Sequence, residues 1–208
     1  MSLILFIQVF FVCLLGAMSP GPSMAVVINN AVFKNRYHGV LTSIGHGLGI
    51  TIYAIFAVIG IGIIINTNIL VFNSMKIISI IFLIYLGLKA ITNNEKVNFE
   101  NKELSGRATS FFQGFSIAIL NPKILVWFVA IYSQFMSKSN DFLFNTYLVL
   151  IAGVIDTCWY ILLTIMATSG VALKYLKSKS NILQKLLGFI FIIIGMVLLL
   201  DLYLTINK

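Results

Sequence analysis

The stretch that decides the fold runs from Leu3 to Phe33 and reads LILFIQVFFVCLLGAMSPGPSMAVVINNAVF. It is almost wholly apolar, and a Ser-Pro-Gly-Pro run interrupts it at residues 19–22. A helix that spans a bilayer needs about 20 mostly apolar residues, so this stretch is long enough to cross a membrane. Because proline removes a backbone donor and clashes with the preceding turn, the sequence predicts a helix broken inside the membrane.

The composition of the whole chain is that of an integral membrane protein. Of its 208 residues, 60% are hydrophobic and 10% are charged, whereas soluble domains are about 45–50% apolar and about 25% charged. A water-soluble fold of this composition would expose large apolar patches, and a disordered chain would contain far fewer large apolar residues. The two cysteines, Cys13 and Cys158, lie in apolar runs without disulfide or metal spacing, so we interpret them as packing residues.

Six segments are long and apolar enough to span a membrane. One longer polar stretch, the cytoplasmic connector 92–108, divides the single domain (1–208) into a first half, 1–91, and a second half, 109–208, with three spans each. The chain is therefore predicted to be an all-α integral membrane protein with six transmembrane helices. We place the spans at Leu3–Phe33, Val40–Ile65, Ile69–Ile91, Thr109–Met136, Phe142–Leu173 and Ile182–Leu204.

Lysine and arginine are unevenly distributed between the two sides of the predicted membrane domain. The connectors between spans 1 and 2, 3 and 4, and 5 and 6 hold ten of the 14, and the other side holds three. Because positively charged loops remain in the cytoplasm, both termini are expected outside. This sidedness accounts for the net charge of +8 better than a nucleic-acid surface, which would need the charges on one face with interleaved aromatic residues.

An odd number of spans in each half means that the second half enters the membrane from the opposite side. If the halves are structural repeats, they are inverted repeats, as in many secondary transporters. The first helix of each half carries a predicted break, which survives in hydrocarbon only against protein or a wet cavity. We expect a new helix to begin at each break, with Ser19 or Asn121 as its N-cap and Pro20 or Pro122 at its first position.

Two broken helices with opposed directions would aim their partly positive N-termini at one region. The N–H groups of Gly21, Ser23, Lys123 and Ile124 would then favour an anion such as a carboxylate. The alternative is a pair of simple proline kinks without a ligand.

Three ionisable residues lie within predicted spans. Lys123 and Asp156 each cost about 2.5–3.5 kcal/mol to insert, so we expect them to pair with each other or with two charges of a substrate. The alternative is a purely structural ion pair. His46, in the counterpart of the helix that carries Asp156, is a candidate proton carrier, or else a packing and hydrogen-bonding residue.

At these residues the sequence resembles the LysE/RhtB family of amino-acid exporters, over nearly its whole length. One departure is Ser133, where the family often has proline before Gln-Phe, so helix 4 is expected to bend less at its end. The shared features are Met18-Ser19-Pro20-Gly21-Pro22, Gly39 with the Gly45–Gly49 stripe, Tyr85-Leu86-Gly87-Leu88-Lys89, Gly114-Phe115, Asn121-Pro122-Lys123, Gln134-Phe135 and Leu187-Gly188 through Gly195.

The resemblance implies a six-helix, proton-driven exporter of amino acids or their derivatives, located in the bacterial cytoplasmic membrane. Its likeness at Pro20, Gly21, Pro22, Asn121, Pro122 and Lys123 assigns these positions to the substrate and gating region. We expect a neutral amino acid, with its carboxylate at the broken helices and Lys123 and its ammonium at Asp156, or a derivative such as a homoserine lactone-like solute. Protonation of Asp156 or His46 would couple export to proton influx, and one half would rock against the other. A homodimer is also expected, without a cofactor or metal.

Two other classes of protein are alternatives to an amino-acid exporter. A cation or metal-ion exporter on a related scaffold would require clustered intramembrane carboxylates, histidines or thiolates. The chain offers only His46, Asp156 and two scattered cysteines. An intramembrane enzyme would need a nucleophile and base or a metal motif, and the sequence contains neither HExxH nor GxSxG. The chain is therefore predicted not to be an enzyme.

Overall fold

The computed structural model of the chain describes residues 3–92, 106–138, 141–169 and 171–206. Within these ranges every regular element is a helix and no strand occurs. Most of the predicted connector 92–108 lies outside the described residues. The helices, in chain order, are α1 (Leu3–Met18), α2 (Pro22–Asn29), a π-helical segment (Asn30–Lys34), α3 (Arg36–Thr67), α4 (Ile69–Thr92), α5 (Arg107–Ile119), α6 (Pro122–Lys138), α7 (Phe142–Ala167) and α8 (Val171–Ile206).

The two predicted breaks are present. The chain bends by 67° between Leu3–Met18 and Pro22–Lys34, and by 55° between Arg107–Ile119 and Pro122–Met136. Counted as one span each, these bent pairs bring the described residues to as many as six membrane spans, since four further helices are long and apolar enough to cross by themselves. The all-helical membrane fold predicted from composition is therefore confirmed.

Large apolar side chains cover the outside of the helix bundle. Phe56, Ile78 and Leu200 are each more than 60% exposed, on three different helices. Such a surface is stable in contact with lipid and would aggregate in water. The apolar core lies between α1, α3, α6 and α7, where Phe128, Tyr132 and Phe144 are fully buried.

Glycines let α3 and α5 pack with their backbones in contact. A Cβ atom added to Gly45 would collide with the carbonyl oxygen of Phe111, and one added to Gly114 would collide with that of Thr42. Further along, Gly49 faces Ala118. Contact positions rise together from His38 with Ser110 to Gly49 with Ala118 and Tyr53 with Ile119, so α3 and α5 run parallel.

Helices α3 and α7 cross through a reciprocal pair of contacts. A Cβ added to Gly47 would collide with the hydroxyl oxygen of Thr157, and a Cβ added to Gly153 would collide with that of Thr51. The later threonine on each helix thus meets the earlier glycine on the other, so α3 and α7 run antiparallel. Each helix contributes the same Gly-x-x-x-Thr pattern to the crossing.

Helices α4 and α8 form a second reciprocal crossing. A Cβ on Gly87 would lie 2.7 Å from the carbonyl oxygen of Gly188, and a Cβ on Gly188 would lie 2.7 Å from that of Gly87. Toward the end of α8, Gly195 faces Ile84, which precedes Gly87. The two helices are therefore antiparallel as well, and small residues again permit the close approach.

The end of span 5 differs from the prediction, because helix α7 ends at Ala167 and not at Leu173. The last candidate span, Gln184–Leu204 within α8, agrees with the predicted Ile182–Leu204 to within two residues. Thr168 and Ser169 follow the end of α7, and side chains of this type compete with the helical backbone for hydrogen bonds. Thr168 Oγ1 donates to the carbonyl of Thr164, and Ser169 Oγ donates to that of Met166.

Candidate functional site

The first break is a three-residue linker, Ser19-Pro20-Gly21, between α1 and α2. The N-cap of α2 is Gly21, in an extended conformation, and Pro22 occupies the first helical turn. The prediction that Ser19 caps this helix and Pro20 begins it is therefore wrong by two residues. Both prolines satisfy the rule for a first helical position, and the chain uses the second because Gly21 is also an acceptable cap.

The second break follows the prediction. Asn121 precedes α6, and its Oδ1 accepts a hydrogen bond from the backbone N–H of Lys123 at 3.1 Å. The backbone N–H of Ile124 donates to the carbonyl of Asn121 at 3.0 Å. These two N–H groups are thus occupied by Asn121, so the prediction that they serve a ligand is wrong. On the other side of the break, the Tyr53 hydroxyl donates to the carbonyl of Ile119, which satisfies the end of α5.

The Lys123 side chain joins the two breaks. Its Nζ donates to the hydroxyl of Ser19 and lies 3.5 Å from the carbonyl oxygen of Pro20. These contacts supply oxygen partners to a cation deep in the chain, which reduces the free energy needed to bury it. The side chain of Lys123 was predicted to pair with Asp156 or with a charge of the substrate, and it makes no direct ion pair with Asp156.

Asp156 is instead paired with His46. Their atoms Oδ2 and Nδ1 lie 2.6 Å apart, and both residues are more than 95% buried, on α7 and α3. The ring of Tyr160, one helical turn beyond Asp156, packs edge to face on the imidazole at 4.7 Å between centroids. The second imidazole nitrogen of His46, Nε2, is buried and has no hydrogen-bond partner among the described residues.

One cavity of about 70 Å³ is lined both by Lys123 and by the pair of His46 and Asp156. Its volume corresponds to about five water-sized positions. Seven of the nine residues assigned to the site from sequence line it, and Pro20 and Pro122 do not. The seven are Ser19, Gly21, Pro22, His46, Asn121, Lys123 and Asp156.

Apolar and aromatic residues complete the wall of this central cavity. Trp127 and Tyr160, which the sequence analysis did not assign, each follow an assigned charged residue by four positions, a spacing that places them on the same helix face. A Cβ on Gly16 would lie 2.7 Å from the indole ring of Trp127, so this glycine makes room for the ring. Cys13, interpreted as a packing residue, also lines the cavity.

The residues present do not form a metal centre. Within the described ranges, no group of three or more His, Cys, Asp or Glu side chains could hold a metal ion. The cavity instead offers one cation, one carboxylate, one imidazole and the hydroxyl groups of Ser19, Ser23 and Tyr160.

Helices that cross a membrane, two of them broken beside a buried polar cavity, define a class of multi-span membrane translocators with discontinuous helices. The family of LysE type translocators matches the chain over residues 14–202. The chain belongs to this family.

Individual relatives are distant but cover most of the chain. The uncharacterized membrane protein YrhP of Bacillus subtilis is 24% identical over 85% of this chain and 89% of its own length. The threonine efflux protein of Escherichia coli is 27% identical over 66% of this chain and 69% of its own length. The leucine efflux protein of Salmonella choleraesuis is 23% identical over 83% of this chain and 84% of its own length. No solved structure matches the chain.

Proposed function

We propose that this protein exports small neutral amino acids, or derivatives such as homoserine lactone-like solutes, across the bacterial cytoplasmic membrane, with proton influx as the driving force. The observation that carries the proposal is the presence of a half-buried cation, Lys123, and a buried acid, Asp156, in one small cavity beside two broken helices. Threonine and leucine efflux proteins among its relatives support an amino-acid cargo.

The carboxylate of the solute would bind on the Lys123 side of the central cavity. There the carboxylate would replace the hydroxyl of Ser19 as the acceptor for the Lys123 ammonium, and the resulting hydrogen bond between two charged groups would be stronger. The start of α2 at Gly21 and Pro22 adds the positive end of a helix dipole, while the N–H groups of Gly21 and Ser23 remain predicted donors. Pro20 and Pro122 take part by holding the backbone open at the two breaks.

The ammonium of the solute would bind at the pair of His46 and Asp156. If the imidazole donates from Nδ1 to the carboxylate, its unpartnered Nε2 presents a lone pair to the cavity. This acceptor is suited to an ammonium N–H, and Asp156 supplies the compensating negative charge.

The same pair would carry the coupled proton. A proton and an ammonium compete for the acceptor of His46 and Asp156, so binding of one favours release of the other. This competition is what an antiporter needs, because a proton that enters the site from outside displaces the solute there, and a solute that binds from the cytoplasm displaces the proton into the cytoplasm.

The two halves, 1–91 and 109–208, are proposed to be inverted repeats. The reciprocal crossings of α3 with α7 and of α4 with α8 support this arrangement, because each pairs corresponding helices in antiparallel orientation. A two-fold axis in the membrane plane relates such helices in transporters with inverted repeats. The distribution of Lys and Arg supports an orientation with both termini outside. The proposal also includes assembly of the protein as a homodimer.

Export by purified protein in proteoliposomes with an imposed proton gradient tests the proposal. We expect Lys123→Ala and Asp156→Asn to lower transport of leucine or threonine by at least about tenfold, since each removes a charged hydrogen-bonding partner. Lys76→Ala is the matched control, because Lys76 is also a lysine within a span but does not line the cavity. Parental transport rates in both cavity variants would show that the assigned site is wrong.

The alternative of a cation or metal-ion exporter has no specific observation in its favour, because the described residues contain no cluster of metal-binding side chains. Transport of a divalent cation by the proteoliposomes, without transport of any amino acid, would reverse this ranking.

A further inference from the structure

A second cavity lies next to the central one, on the Lys34 side of Pro22. It has a volume of about 470 Å³ and lies between α2 with its π-helical segment and α5. Pro22 lines both cavities, so a solute that moves from one to the other passes this residue at the broken helix. The second cavity is larger than the central one, and none of the site residues assigned from sequence apart from Pro22 lines it.

The π-helical segment shapes the polar end of this second cavity. The backbone N–H of Asn35 donates to the carbonyl of Asn30 at 3.3 Å, five residues back instead of four. The wider turn leaves Asn29, Asn30 and Lys34 all on the cavity side. Such π-turns within helices frequently occur at functional sites.

Across the cavity, Gln113 of α5 joins the side chains of this segment. Its Oε1 accepts from Asn30 Nδ2 at 2.9 Å and from Lys34 Nζ at 3.4 Å. Lys34 Nζ also donates to Ser110 Oγ at 3.3 Å. A carboxylate that entered here would be a charged acceptor for this lysine, and such hydrogen bonds are stronger than those to neutral oxygens.

The second cavity also contains an acceptor for a positive group. The side-chain oxygen of Asn29, Oδ1, is buried and has no hydrogen-bond partner among the described residues. In the unfolded chain such an oxygen accepts a hydrogen bond from water, and it loses this bond when it is buried without a partner. The ammonium of a bound solute would supply a new hydrogen bond to it. The cavity therefore combines a cation and an acceptor, which complement the two ends of a zwitterion, with apolar walls toward Pro22.

We propose that this second cavity is a loading site that binds the α-ammonium and α-carboxylate of the solute before it passes Pro22 into the central cavity. The inference rests on the proposed function as an amino-acid exporter. It assigns carboxylate recognition at the loading site to Lys34 and ammonium recognition to Asn29, with Asn30 and Gln113 positioning the lysine.

The test measures initial rates of proton-driven uptake into inside-out vesicles, where the Lys34 side faces the added solute in the proposed orientation. Radiolabelled leucine and threonine are the probes, each over a range of concentrations. We expect Lys34→Gln and Asn29→Leu to raise KM by about tenfold, because each removes one recognition contact, while the maximal rate changes by less than about twofold.

Two control variants separate recognition from charge and folding. Arg36→Gln removes a positive charge two residues away, on a side chain that bonds Thr168 outside the cavity, and should leave KM unchanged. Lys34→Arg keeps the cation and should retain a KM within about threefold of the parent.

The outcomes for the loading site and for the exporter proposal are distinct. A parental KM in both Lys34→Gln and Asn29→Leu, with active transport, overturns the loading site and leaves the exporter proposal standing. An equal rise in KM for Arg36→Gln also overturns it, because a general loss of positive charge would then explain the effect. Absence of uptake of either amino acid by the parent contradicts the proposed function itself.

Discussion

The imidazole Nδ1 of His46 lies 2.6 Å from Oδ2 of Asp156, which joins the centres of α3 and α7. Both residues are almost fully buried, and the two helices also cross through Gly47 and Gly153 close to this pair. The pair therefore belongs both to the packing of the bundle and to the proposed site. Mutations at these positions should separate the two roles.

Breaking the pair from one side should destabilise the protein more than removing both partners. His46→Leu leaves a buried carboxylate without its partner, and such losses cost about 3–5 kcal/mol. The double variant H46L/D156L replaces both groups with apolar side chains and should be more stable than His46→Leu alone. Thermal unfolding in detergent provides the measurement. A double variant less stable than the single one would show that the two residues contribute independently.

The close approach of α3 and α5 makes Gly45 sensitive to the smallest substitution. Gly45→Ala places a methyl group against the backbone of Phe111, which cannot move without shifting α5, so we expect a loss of about 1–3 kcal/mol. Gly60→Ala is the matched control in the same helix, because a Cβ there has no atom within 4 Å. Its stability should stay within about 1 kcal/mol of the parent. Equal unfolding temperatures of the two variants would contradict the described contact.

The size of the central cavity should limit the size of the cargo. Trp127 occupies one wall, and Trp127→Ala would open space beside Lys123 and Gly16. We expect this variant to transport phenylalanine faster relative to threonine than the parent does, by about tenfold if the released space accepts the ring. Competition between the two amino acids in proteoliposomes measures the ratio. An unchanged ratio would mean that Trp127 does not contact the cargo.

The side chain of Asn121, which caps α6 at the second break, should stabilise the fold whether or not it contacts the transported solute. Asn121→Ala removes the acceptor of the Lys123 N–H and should cost about 1 kcal/mol, whereas Asn121→Asp keeps a side-chain oxygen at that position. The two variants should therefore differ in unfolding temperature. Indistinguishable unfolding of both from the parent would argue against a capping role.

The breaks and the charged residues could be predicted from sequence because both are exceptional inside a membrane. Proline and glycine in an apolar run leave few structural interpretations, and Lys123 and Asp156 had to find polar surroundings. Their common cavity follows from these two constraints. The partner of each charge did not follow, since Lys123 reaches Ser19 and Asp156 reaches His46 through side-chain contacts between different helices.

The errors have local causes that composition does not reveal. Pro20 and Pro22 fit the first helical position equally well, so the choice of Gly21 as the cap depends on packing around the linker. Predicted span 5 runs on through Thr168 and Ser169, whose hydroxyl groups bond the carbonyls at the end of α7. A π-turn such as Asn30–Lys34 has no sequence pattern that distinguishes it from an α-helical turn.

The glycine contacts of α3 restrict how such a carrier can move. This helix belongs to the first half, yet its backbone touches α5 and its glycines interlock with α7, both from the second half. Rotating one half as a block against the other would tear these van der Waals contacts apart at every transport cycle. For the proposed exporter we therefore expect α3, α5 and α7 to stay packed together, in contrast to the rocking of whole halves expected from sequence, and the short helical segments around the two proline breaks to move against them.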